Sequence, residues 1–193
     1  MAGRVRQGCV VVLLVLLGLA ARLYFREIPN FTPISAIAMF AGFYFAGRGI
    51  AILVPLLIMI ASDMLLSGYE PALRVVVYGS LMAPVLLHRP VAWGMRRLTQ
   101  VQPNGWLAGI AAIALCALAS SVFFFLTTNL GTWAFTQWYA KDLVGIRNCM
   151  LAGLPFFRYT LAGDMTFCAL LFGSYAMAAQ LAWKTRESYA LRS

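Results

Sequence analysis

The run GWLAGIAAIALCALASSVFFFL, residues 105–126, contains no charged residue. A helix needs about 20 consecutive apolar residues to cross a bilayer core, so this stretch reads as a transmembrane span. Working outward from it, five further segments have the same character: residues 8–25, 33–46, 50–67, 73–87 and 159–183. The second and fourth are short for a full crossing. Pro55 and Pro84 fall inside the third and fourth, and each predicts a bend.

Composition supports this reading. The 193 residues are 62% hydrophobic and 11% charged, and their mean hydropathy is +0.82. Ordinary soluble domains are about 45–50% apolar and about 25% charged, so a water-soluble globule is excluded. The net charge of +9 would suggest nucleic acid in a soluble protein; in a membrane protein it points to cation-rich cytoplasmic loops, and no nucleic-acid partner is expected. Cys9, Cys116, Cys149 and Cys168 show no C-x-x-C spacing, and His88 is the single histidine. Neither a disulfide framework nor a metal site is expected. No glycine-rich phosphate loop occurs, so energy from ATP has to come from another chain, and no cofactor is expected. Ser174 lacks a G-x-S-x-G frame, and Asp63 with Asp164 lacks further protease features. No catalytic residue and no enzyme activity are expected.

Arg4 and Arg6 ahead of the apolar run 10–17, followed by Gly18-Leu19-Ala20-Ala21, leave two readings of the first segment: a retained span or a cleaved secretory signal. Cation counting sets the orientation. With the N-terminus inside, Arg4, Arg6, Arg48, Arg89, Arg96, Arg97, Lys184, Arg186 and Arg192 lie on the cytoplasmic side, and Arg22, Arg26, Arg74, Lys141, Arg147 and Arg158 lie opposite. Six spans with both termini cytoplasmic follow, in an all-α membrane protein whose residues 1–193 form one integral membrane domain. The 127–158 connector, with Trp133, Trp138, Tyr139, Lys141 and Asp142, is expected to lie on the outer membrane surface as a lid.

In this orientation the polar residues gather at the outer helix ends: Asn30 and Thr32 before the second span, Asp63 near the end of the third, Thr127, Thr128 and Asn129 closing the fifth, and Asp164 entering the last. Polar groups that converge at one end of a bundle build a cup for a small molecule. Asp63 is the sharpest signal, because a carboxylate costs about 2.5–3.5 kcal/mol at a membrane-helix centre. Its offset is a structural pair with Arg74 or Arg158, a hydrogen bond to a neighbouring helix, or direct ligand contact. Asp164 either caps a helix or pairs with an arginine, or it completes the cup's rim. Thr32-Pro33 reads as an N-cap with a first-turn proline, which leaves Asn30 free to face the cup. Trp133, Trp138 and Tyr139 either stack on a planar ligand or belong to an interfacial belt. The candidate substrate-binding set is Asn30, Asp63, Asn129, Trp133, Tyr139 and Asp164. The small-residue stripes Ala38, Gly42, Ala46 and Ala108, Ala112, Cys116, Ser120 allow close helix approach, within the bundle or against a partner.

The stretch PNFTPISAIAMFAG, residues 29–42, resembles the opening of a family of small bacterial membrane proteins of unknown function that are regarded as transport proteins. Ser62-Asp63, Thr128-Asn129 with Trp133, Leu154-Pro155-Phe156-Phe157, Gly163-Asp164 and Leu171-Phe172-Gly173 follow in that family's order, so the resemblance extends from Pro29 to Tyr175. The family is distantly grouped with the substrate-binding S components of energy-coupling factor transporters. The resemblance implies a six-helix, S-component-like bundle in the bacterial inner membrane. It further implies uptake of a vitamin or micronutrient from the outer side, in company with a transmembrane coupling subunit and ATPase subunits. The non-transport alternative is a membrane scaffold or assembly factor that binds partner helices.

Overall fold

The computed structural model describes residues 2–46, 49–66, 70–99 and 105–190, with side chains placed for residues 3–183 among them. Arg48 and Arg192, and the side chains of Lys184 and Arg186, lie outside that set. Within it every regular element is helical, with no strand: α1 Ala2–Tyr24, α2 Ile34–Tyr44, α3 Ile50–Asp63, α4 Pro71–Met82, a 3-10 turn Ala83–Leu87, α5 His88–Thr99, α6 Gly105–Phe135 and α7 Leu143–Ala190.

Helix α2 sits at the centre. Every residue from Ile34 to Gly42 is buried, and the helix touches α1, α3, α4, α5, α6, α7 and the 3-10 turn. A helix that is apolar on all sides is stable only when neighbours surround it. Its small residues let those neighbours close in: a Cβ on Gly42 would stand 2.6 Å from the Val85 carbonyl oxygen. The outer helices turn their large apolar side chains outward, as Leu13, Leu16, Ile52, Leu57, Leu115 and Leu170 show. Such a surface is costly in water and matches lipid.

Four helical stretches are long and apolar enough to cross a membrane: Gly3–Tyr24, Pro71–Thr99, Gly105–Phe135 and Leu143–Trp183. Helices α2 and α3 are apolar but only 11 and 14 residues long. The structure corrects the expected boundaries in three places. The fourth segment does not end at residue 87 in an arginine loop; it continues through the 3-10 turn at Pro84 into α5 and runs antiparallel to α6. Leu73 and Val76 lie against Gly131 at one end, and Gly94 and Leu98 lie against Gly109 at the other. The connector 127–158 is mostly helix, because α6 extends to Phe135 and α7 begins at Leu143. The last helix starts well before residue 159 and contains Pro155, whose missing N–H a packed helix accommodates.

The turn between α6 and α7 explains the second correction. Lys141 donates from Nζ to the carbonyls of Trp133, Ala134 and Thr136, closing the C-terminal end of α6. The next residue, Asp142, accepts the Gly145 N–H at 2.7 Å and caps the start of α7. A cation at one helix end and a carboxylate at the next helix start both suit the helix dipoles. Two adjacent charges thus make a tight turn of what polar composition alone reads as a surface segment.

Candidate functional site

Two adjoining cavities open at the end of the bundle where α1, α3 and α6 finish and α2, α4 and α7 begin. They share Asn30, Val77 and Phe124 as walls. The larger, about 310 Å³, is bordered by Arg22, Asn30, Phe31, Thr32 and Asp63. The smaller, about 170 Å³, lies between α6 and α7 and is bordered by Thr128, Asn129, Thr132, Phe157 and Thr160.

Asp63 is neither free nor paired with the arginines expected. Its Oδ1 accepts from Arg22 at 2.8 Å and its Oδ2 accepts from the Tyr78 hydroxyl at 2.8 Å. The side chains of Arg22 and Asp63 are 13% and 8% exposed, so the pair is largely withdrawn from solvent. Arg22 also reaches the Met59 sulfur. Sequence reasoning placed Arg22 on the outer side, at the end of the first span, without pairing it with Asp63, and passed over Tyr78. The signal available for Arg22 was depth, since it closes the first span at the same level at which Asp63 closes the third.

Asn30 lies at the junction of the two cavities with φ of 59°, a left-handed conformation that asparagine tolerates better than most residues. Thr32 does not cap α2. The N-cap position falls on Pro33 without a side-chain bond, and the Thr32 hydroxyl is a buried atom with no hydrogen-bond partner among the described residues. It borders the larger cavity.

The smaller cavity has a distinct chemistry. The hydroxyls of Thr128, Thr132 and Thr160 donate to carbonyls one turn back, at Phe124, Thr128 and Phe156. Their protons are thereby committed, and their remaining lone pairs are acceptors. Asn129 donates to the Phe125 carbonyl at 2.7 Å, and its side chain lies on Gly153, where any Cβ would collide with it. Gly153 is a further residue that sequence reasoning missed.

The remaining candidates stand apart from the cavities. Trp133 donates to the Ala140 carbonyl at 2.8 Å and belongs to the α6–α7 turn, where Lys141 lies over its ring. Tyr139 sits in that same turn, outside both cavity walls. Asp164 is 2% exposed and lies inside α7, so it neither caps a helix nor forms part of either cavity's wall. Ser121 donates to it at 2.6 Å, and the Ser35 hydroxyl also bonds it. Gly163, beside it, lies against the backbone of Phe31 and Thr32, so the rim segment rests on α7 directly above the buried carboxylate. Asn30, Asp63 and Asn129 are therefore brought to one cup, while Trp133, Tyr139 and Asp164 are not.

A family profile described as "Family of unknown function (DUF6580)" matches residues 4–187. The chain belongs to that family. No curated protein and no solved structure matches it. The match takes in every element from α1 to most of α7, and with it both cavities.

Proposed function

We propose that this chain is a substrate-binding membrane transport protein that takes a small solute into the cup between Asn30, Asp63 and Asn129 from the outer side of a bacterial inner membrane. In this reading all six apolar helical stretches traverse the membrane, both termini are cytoplasmic, and the bundle is S-component-like. Transport is driven through a transmembrane coupling subunit and ATPase subunits. The observation that carries the reading is the convergence, from five helices, of two adjoining cavities with polar groups in their walls at one end of an otherwise apolar bundle. Such a site is concave, partly apolar and supplied with a few aimed polar groups.

The walls also favour a class of solute. Arg22 and Asp63 neutralise each other, Arg26 of the same wall is paired with Glu27, and the threonine row offers acceptors, so the fitting solute is uncharged overall, bears N–H or O–H donors, and lays an apolar or aromatic face on Phe124 and Phe157. The small-residue stripes favour transport over the scaffold alternative. Ala38 is buried, Gly42 is used against Val85, Ala112 against Gly94, and Cys116 and Ser120 are buried within the bundle, while Ala46 and Ala108 at the ends of the stripes are exposed.

The test is mass spectrometry of the full chain after gentle detergent extraction. A retained small molecule, lost in Asn30→Gly, supports the reading. A preparation that holds no small molecule and brings down only another membrane protein favours the scaffold.

A further inference from the structure

Asp164 is 2% exposed and stands in the middle of the membrane-crossing stretch Leu143–Trp183. Its partner Ser121 lies about 22 Å along α6 from Trp106 and about 18 Å from Trp133, at 1.5 Å per residue, so the pair is near mid-depth in the bundle. Oδ2 accepts from Ser121 at 2.6 Å, and Ser35 of α2 bonds the carboxyl as well. Both partners are neutral hydroxyls.

No cation answers the carboxylate. Among the described residues no ion pair reaches it, since Arg22 is taken by Asp63 and Arg26 by Glu27. The helices packed on α7 bring none either. Cys116 is the titratable side chain of α6, and Tyr44 that of α2, at its far end. On α5, His88 makes no bond to Asp164, Arg89 and Arg96 are exposed, and Arg97 stacks on Trp93. Within α7 the neighbour is the Cys168 thiol, while Arg158 is exposed and stacks over Tyr159. A carboxylate withdrawn from water without a cation is costly in a bilayer, and hydroxyls offset only part of that cost. The room available selects the cation. Asp164 borders neither cavity of the cup, and a serine oxygen already occupies the contact with Oδ2, whereas a metal ion needs a shell of oxygen ligands. A proton needs no such shell and sits on Oδ1.

The cup is one residue away. Gly163 lies so close to Phe31 and Thr32 that an added Cβ would stand 3.2 Å from the Thr32 nitrogen. Thr32 borders the larger cavity, and its buried hydroxyl has no partner among the described residues, so it is free to accept a proton and to pass one on. Ser35 follows three residues later and bonds the carboxyl. We propose that Asp164 is a proton-binding site whose proton exchanges with the cup through Thr32 and Ser35. The cup thereby takes up and releases a proton at its floor, whatever solute it holds.

Infrared spectroscopy of the full chain in lipid tests this, because a protonated carboxyl gives a C=O stretch that a carboxylate lacks. At neutral pH the parent shows the band and Asp164→Asn loses it, while Asp142→Asn, which removes the exposed carboxylate at the start of α7, keeps it. On transfer to heavy water the band shifts as the proton exchanges, and Thr32→Val slows that shift severalfold without removing the band. If Asp164→Asn fails to fold, Ser121→Ala takes its place, since loss of the bond to Oδ2 moves the band's frequency. The same spectrum in the parent and Asp164→Asn, or a band unmoved by Ser121→Ala, overturns the proton site. A band that appears only when sodium is withheld assigns the carboxylate to a metal cation and overturns it too. Exchange as fast in Thr32→Val as in the parent overturns the path through the cup.

Discussion

Asp63 shows how one buried charge is made tolerable. Its two oxygens are divided between a guanidinium and a phenol, so that either partner alone would leave an acceptor exposed to an apolar wall. Replacing Asp63 with Asn leaves Arg22 facing an uncharged group in a largely buried site, and it is expected to cost about 1–3 kcal/mol. Arg22→Gln should cost a similar amount, and the double variant clearly less than the two together, because each single change strands the partner that the other removes. Melting of the four proteins in one detergent checks this, and simple additivity would show that the pair contributes nothing. Asn30 poses the opposite problem, since its backbone is the constraint. Asn30→Ala should lose about 1 kcal/mol from its left-handed φ, while Asn30→Gly should melt close to the parent. The glycine variant is therefore the clean way to remove the side chain from the cup.

Among the elements, α5 and α6 approach closely where Gly94 and Gly109 face each other. A Cβ on Gly109 would stand 2.6 Å from the Gly94 carbonyl oxygen and 2.9 Å from the Leu98 nitrogen, so both contacts are with backbone that cannot rotate away. Gly109→Val should force the two helices apart at a cost of about 1–3 kcal/mol, read as a lowered melting temperature. Gly79→Ala, on the exposed face of α4 with nothing within 4 Å, is the control: it should not lower melting, and the loss of a helix-interior glycine should stabilise by up to about 1 kcal/mol. The sequence stripe along α6 named Ala108, Ala112, Cys116 and Ser120, yet the tightest contact belongs to Gly109. A stripe records which residues are small; which one meets a facing backbone depends on how the partner helix crosses.

Across the whole molecule, the tryptophans mark two levels. On α6, Trp106 and Trp133 are separated by about 40 Å of helix, near the full thickness of a bilayer with its headgroup regions. Trp93 lies with Trp106 at the cationic end, and Trp138 lies in the turn with Trp133 at the cup end. The proposed orientation places the cup outside and Arg96 inside. In a Cys9→Ser background, a cysteine at exposed Glu27 should react in intact spheroplasts with a membrane-impermeant maleimide, and a cysteine at Arg96 should react only after lysis. The reverse pattern would turn the molecule over and send the cup to the cytoplasm.

The chain's apolar runs, its low charge and the depth of Asn30, Asp63 and Asn129 along them suffice to specify an all-helical bundle with the character of a membrane protein and polar groups at one end. Those properties are local: hydropathy and position within a span can be read without knowing what lies opposite. Tertiary structure alone decided that Arg22 and Tyr78 meet Asp63, that Asp164 is answered by Ser121 and Ser35 beneath the rim, and that Lys141 and Asp142 fold a long connector into a short turn. Each of these is a contact between groups that are distant in sequence or a choice between helix and loop made by a few local hydrogen bonds. Pairing across a bundle follows from how helices cross and rotate about their axes, and a linear pattern of apolar residues leaves those angles undetermined.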